Sequence, residues 1–197
     1  MKKALMMFMV AFAASCNAKA AEEIKLPVPD TKGGIPLMEA IARRQSTREF
    51  SAKAIDDQTL SDVLFAAWGV SHDGKRTIPT AMNKQNLRVF AARKDGVWEY
   101  DGSNNSLKKV SDTDLTPALA EQDYVQDAPL TLIFTGTDKQ SSPMNAAAAY
   151  QNVGLYCASR GMHNVVRGYI NRAEIAKTLG LGEAEIIVSQ TIGWPYM

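Results

Sequence analysis

Residues 144–160 (MNAAAAYQNVGLYCASR) carry no acidic side chain and a single base, Arg160, at their end. Alanine is the strongest helix former, and Gly161 follows as a stop. The run predicts a long helix that is apolar nearly all round. Such a helix has no solvent face, so it is expected to run through the core.

The elements around it are less regular. Pro36 suits a first helical position, and Leu37, Ala40 and Ile41 give a short apolar stripe to about Arg44. Asp56 or Asp57 can cap a second helix whose Leu60, Val63, Leu64 and Ala67 face inward, with Gly69 at its end. Residues 70–86 read as a loop between packed elements. Two β-rich runs, Leu87–Arg93 and Val97–Tyr100, flank Asp95-Gly96 as a hairpin, and Leu107–Val110 offers a third strand. Thr113–Tyr124 reads as a helix and Leu130–Thr135 as a buried central strand. A strand over Val165–Ile170, a helix over Arg172–Leu179 closed by Gly180, and a strand over Ala184–Ile192 complete the chain. Strand and helix do not alternate regularly, which favours α+β over a doubly wound parallel sheet.

Met1-Lys2-Lys3, eleven uncharged residues from Ala4 to Ala14, and an Ala18-x-Ala20 end read as a signal peptide over residues 1–20. Eleven residues span roughly 16 Å as a helix, about half a bilayer core. Residues 21–35, with two prolines and two glycines, read as an extended arm or tether ahead of one domain over 36–197. Cleavage leaves 177 residues, enough for a sizeable core. Of 22 basic residues, Lys2, Lys3 and Lys19 leave with the leader, giving 19 against 21 acids and a net charge of −2. That balance excludes a strongly basic nucleic-acid binder. Ala13-Ala14-Ser15-Cys16 also resembles a bacterial lipobox, so Cys16 is either discarded or becomes a lipid anchor. Neither fate allows a disulfide framework, and Cys157, inside the apolar helix, reads as a buried inert thiol.

No Gly-x-Gly-x-x-Gly, Walker A, Cys-x-x-Cys or His-Glu-x-x-His is present, and His72 and His163 stand alone. If the chain is an enzyme, a cofactor carries the chemistry. Three segments could hold one. In Arg43-Arg44-Gln45-Ser46-Thr47-Arg48, guanidiniums and hydroxyls suit a phosphate, although the same residues could equally be a solvated basic helix end. Pro79-Thr80-Ala81-Met82-Asn83-Lys84-Gln85 offers amides that can read a polar ring edge, or is a plain surface loop. Gly161–Gly168 is a glycine-bounded turn that could bring backbone close to a flat ligand, or simply a helix cap.

In this order the three segments resemble the nitroreductase family of FMN-dependent oxidoreductases, over about residues 36–195. RRQSTREF resembles the family's Arg-x-Ser-x-Lys/Arg-x-Phe motif, and PTAMNKQ its Pro-Ser-Ser-x-Asn-x-Gln loop. RGMHNVVRGY resembles the turn whose backbone amide faces flavin N5, and Ile192-Gly193-Trp194-Pro195 the closing Gly-x-Pro. The resemblance implies a mainly antiparallel central sheet flanked by helices, in a homodimer with FMN at its interface. Arg44, Ser46 and Arg48 would hold the phosphate or ribityl chain. Pro79, Thr80, Ala81 and Asn83 would approach the flavin from the second subunit, with Arg167 and Gly168 at N5. The implied activity is hydride transfer to or from a small nitro, quinone or azoline compound. Export would separate it from the cytoplasmic NAD(P)H pool. Ala81 replaces the family's second serine, Asn86 its proline, and Arg167 a common acid. The end at Met197 implies a short form without the arm that wraps the partner, closer to the azoline-oxidising dehydrogenases. A flavin-binding carrier or sensor, and an anion-binding surface lipoprotein, are the alternatives.

Overall fold

In Leu87–Arg93, Val89 and Ala91 point to one side and Phe90 and Ala92 to the other, and all four are buried. A strand apolar on both faces belongs in the middle of a covered sheet. The computed structural model, which describes residues 22–196, places it there. The signal-peptide segment, Cys16 and its lipidation lie outside the described residues. Seven strands run in the order β1-β4-β3-β2-β5-β7-β6. They are β1 Glu23–Lys25, β2 Leu87–Arg93, β3 Gly96–Asp101, β4 Ser106–Ser111, β5 Leu130–Gly136, β6 His163–Arg167 and β7 Ile186–Gly193. Every pairing is antiparallel. The β2–β3 hairpin turns at Gly96, whose φ of +126° puts the site of a Cβ 2.3 Å from the Ser111 carbonyl, so only glycine fits.

Helices cover both faces. On one, α2 (Asp57–Trp68) and α4 (Ser141–Arg160) bury Leu60, Val63, Leu64, Ala149, Val153 and Cys157 against Val89, Leu132 and Phe134. Asp56 caps α2 by accepting from the Thr59 amide at 2.7 Å. On the other face, α3 (Thr116–Leu119) and α5 (Arg172–Leu179) close over Phe90, Val97 and Ile133. Helix α1 (Leu37–Arg43) packs on the flank of α4.

Three expectations change. The helix expected over 113–124 is one turn, Thr116–Leu119, followed by a 3₁₀ turn at Asp123–Val125. Asp114 accepts from the Thr116 amide at 2.8 Å and Pro117 sits in the first turn, fixing a late start. Burying Leu119 and Val125 then requires a bend. Helix α4 starts at Ser141, three residues earlier than expected, and ends as expected at Gly161 in the left-handed conformation (φ 69°), but it is not buried all round. Met144 and Gln151 are exposed and Ala147, Ala148 and Leu155 half-exposed along one outward stripe. Finally, the arm, over residues 22–35, is extended but stitched down. Glu23–Lys25 pairs with β4, Leu26 is buried, and Asp62 accepts from the Asp30 amide at 2.8 Å.

Candidate functional site

Arg43 and Arg44 close α1, where basic side chains complement the helix dipole. Arg43 pairs with Glu39 one turn earlier. Arg44 lays its stem against α4, with Cγ 3.5 Å from where a Cβ on Gly154 would stand. The chain then crosses to the start of β6. The Thr47 amide donates to the Asn164 carbonyl at 2.9 Å, and the Asn164 amide donates back to Thr47 Oγ1 at 2.9 Å. His163 Nδ1 donates to the Glu49 carbonyl at 2.6 Å, and the buried Phe50 meets the His163 ring edge-on. His163 is therefore a packing residue.

This anchoring sorts the basic segment by parity. Arg43, Gln45 and Thr47 line a cleft of about 430 Å³ with Met162, His163 and Asn164. Arg44, Ser46 and Arg48 do not line it; they take the alternate positions. Arg44 is half-buried, and Ser46 and Arg48 are exposed. Among the described residues no carboxylate pairs with Arg44 or Arg48. Two unneutralised guanidiniums and a hydroxyl at every second position are a donor set matched to a phosphate dianion.

The second segment forms a strained loop. Ala81–Asn83 is a single 3₁₀ turn, and Met82, Asn83 and Gln85 all have positive φ (51°, 53° and 42°). Side-chain residues rarely adopt this conformation, and it persists where neighbours enforce it. Here Asn145 Oδ1 accepts from the Ala81 amide at 3.3 Å, Asn145 Nδ2 donates to Asn86 Oδ1 at 3.0 Å, and Asn86 donates to Ser141 at 2.8 Å. Lys84 binds Asp138 at 2.7 Å; that contact, with the Ser141 and Gln140 amides, holds the Asp138 carboxyl well below the usual range. Pro79, Met82 and Asn83 stay exposed, and Thr80 and Ala81 half-exposed. Asn145 escaped sequence reading; its signal was a polar side chain inside the alanine run, here 1% exposed.

Within one chain these two segments do not meet. The loop lies on the α2 flank of α4, where Asn152, seven residues beyond Asn145, donates to the Ala66 and Thr77 carbonyls at 3.3 and 3.2 Å. Gly154, under Arg44, is nine residues beyond Asn145, about 180° round the helix.

Arg167 points away from both. Its side chain is 4% exposed, with Nη1 donating to the Leu119 carbonyl at 2.7 Å and Nε and Nη2 to Thr191 Oγ1 at 3.2 and 3.0 Å. Burial lowers its pKa, and among the described residues no carboxylate bonds to it. It joins β6 to β7 and α3. Only the Arg167–Gly168 backbone is left to face a ligand. Gly168 is exposed, and a Cβ there would meet only Arg172 Nη2 at 3.8 Å. The chain's own packing therefore does not demand this glycine. Behind it, Gln190 Nε2 donates to the Tyr150 carbonyl and to Asn164 Oδ1, both at 3.1 Å, tying α4, β6 and β7 together.

Cys157 is fully buried, and desolvation pushes its thiol up to about 12, so it is unreactive. Among the described residues no group of three or more His, Cys, Asp or Glu could hold a metal ion. No helix of the described residues is long and apolar enough to cross a membrane.

Residues 41–194 match the family model described as "Nitroreductase family". The chain is 25% identical over 189 residues to the putative nitroreductase of Methanocaldococcus jannaschii, covering 85% of this chain and 95% of that protein. The structure of a putative nitroreductase from Ralstonia eutropha JMP134 superimposes with a TM-score of 0.82 at 36% identity, covering 89% of this chain and 90% of that one. A putative nitroreductase from Desulfovibrio desulfuricans in complex with FMN shares the fold, with a TM-score of 0.59 at 19% identity, covering 83% and 88%.

Proposed function

The chain belongs to the nitroreductase family, and on that premise we propose that it is an exported, homodimeric, FMN-dependent oxidoreductase acting on a small organic substrate of nitro, quinone or azoline type. The oxidoreductase class follows from the family. The observation that carries the cofactor reading is the alternate-position set Arg44, Ser46 and Arg48, left without a carboxylate partner among the described residues. These residues hold the FMN phosphate, whose dianion they neutralise with charge-assisted hydrogen bonds. The exposed Gly168, with Tyr169 beside it, lets backbone approach the ring. When bound, FMN supplies two-electron transfer that no side chain here can perform. The protein's share is to bind, orient and exclude water.

The dimer reading rests on the opposite flanks of α4. Pro79, Thr80, Ala81 and Asn83 can serve the same ring as Arg44 only from a second copy. The exposed Leu37, Met38 and Ile41 of α1, Met144 of α4 and Met82 of the strained loop are the surface such a copy would cover. Export rests on the leader over residues 1–20, with Cys16 as the site of an anchor if it is retained.

The visible spectrum of the purified protein tests the cofactor. A bound yellow chromophore after incubation with FMN is expected, and a protein that retains none sinks the proposal. A flavin that no nicotinamide donor reduces, and that turns over no nitroaromatic, quinone or azoline, would mark a carrier or sensor instead. The mass of the secreted chain checks export: cleavage after Ala20 removes Cys16, and lipidation adds acyl mass to it.

A further inference from the structure

We infer that Arg76 sets the orientation of the amides in the loop that carries Asn83, so that Asn83 Nδ2 is held ready as a donor to the flavin ring. The inference rests on the cofactor reading above. It begins with what each group can do. Arg76 is a donor only, because a guanidinium has no acceptor site. Its Nε donates to Gln85 Oε1 at 3.1 Å. The Gln85 amide is thereby oriented: the atom facing Arg76 must be oxygen, so Nε2 faces the other way. Gln85 Nε2 donates to Asn83 Oδ1 at 3.0 Å. The second amide is fixed by the same logic. Its oxygen is turned toward Gln85, and Nδ2 is left as a donor for a ligand. An isolated amide presents either end with similar ease. Here one cation, two side chains away, removes the choice.

Arg76 is itself firmly seated. Nη1 donates to the Trp68 carbonyl at 3.0 Å, and the guanidinium lies over the Trp68 ring at 4.4 Å from its centroid. Its backbone bridges to Val70. A Cβ on Gly102 would stand 2.7 Å from Nη1, so the seat tolerates no side chain there. Gln85 and Asn83 both stand at positive φ in this loop. Asn83 Nδ2 suits a carbonyl acceptor, as on the pyrimidine edge of a flavin. Arg76 is a positioning residue and touches no ligand.

The full chain, titrated with FMN by fluorescence quenching, tests this. Arg76→Gln should weaken FMN binding about five- to tenfold, the worth of one oriented hydrogen bond. Arg76→Lys, still donor-only, should stay within about twofold of the parent. Gln85→Glu keeps the Arg76 contact, as an ion pair, but cannot donate to Asn83. It should weaken FMN as Arg76→Gln does without lowering the melting temperature. In an Asn83→Ala background, Arg76→Gln should have no further effect. Parent-like affinity in both Arg76→Gln and Gln85→Glu, or an Arg76→Gln loss undiminished when Asn83 is Ala, overturns the inference and leaves FMN binding standing. A parent protein that binds no FMN overturns the cofactor reading and this inference with it.

Discussion

Thr47 and Asn164 clasp each other across 117 residues of chain, each backbone amide reaching its partner's oxygen at 2.9 Å. Thr47 Oγ1 also donates to the Asn164 carbonyl at 3.3 Å. The pair fixes the basic segment on β6, and with it the parity that separates Arg44, Ser46 and Arg48 from the cleft side. Thr47→Ala leaves a buried Asn164 amide without its acceptor. The expected cost is about 1–2 kcal/mol in chemical denaturation, with looser FMN binding. Thr47→Ser, which keeps the hydroxyl, should recover most of both.

Arg44 and Arg48 should discriminate FMN from riboflavin. Arg44→Ala or Arg48→Ala removes a charge-assisted contact of about 1.5–3 kcal/mol, equivalent to roughly 10- to 100-fold in FMN affinity. Riboflavin lacks the phosphate, so its affinity should be nearly unchanged. Equal losses for both ligands would count against a phosphate role.

The outward stripe of α4 should be a subunit contact. Met144 is 61% exposed, and a charge placed there costs little in an isolated subunit. Met144→Glu, or Leu155→Glu further along the stripe, is expected to shift the sedimentation coefficient from dimer to monomer. FMN affinity should fall with it, because Asn83 and Arg44 would then serve different solutes.

One buried acid helps to hold the arm. Asp62 accepts from the Asp30 amide at 2.8 Å, Gln58 at 2.9 Å and Tyr156 at 3.1 Å. Arg160 Nη2 adds a bond to Asp30 at 3.0 Å. Asp62→Ala strips three donors of their acceptor and should destabilise the fold by about 2–3 kcal/mol. Hydrogen exchange at residues 23–30 should rise more than the global loss accounts for.

Acid should erode stability through depressed carboxyls. Asn104, then Lys108 and the loop amides, holds Asp101 down to about 2; Asp138, Asp56 and Asp30 are lowered as well. A lowered folded-state pKa means the unfolded chain binds more protons. The stabilisation is present above pH 4 and is lost as pH falls through the folded values. Urea midpoints measured from pH 5 to pH 2 should decline, and Asp101→Asn should flatten the part of that slope between about 4 and 2.

Local signals account for most of the elements. Asp56 and Gly69 bracket α2, Asp95-Gly96 turns the hairpin, and Gly161 and Gly180 end α4 and α5, because each acts through the backbone within one turn. Thr113–Tyr124 carries a helical pattern, but Asp114 and Pro117 delay its start and the burial of Leu119 and Val125 bends it, and that burial is set by the packing of the whole sheet face. The site divides in the same way. The Arg44-x-Ser46-x-Arg48 spacing and the Pro79–Gln85 loop are legible, since period-two spacing and loop chemistry are written in the chain itself. Tertiary structure alone decided that Arg167 spends its charge on Leu119 and Thr191, that Asn145 and Arg76 support the loop, and that the two legible segments lie on opposite flanks of α4. Those facts depend on which strand lies beside which and on the rotation of a helix about its axis, and no local stretch of chain sets either.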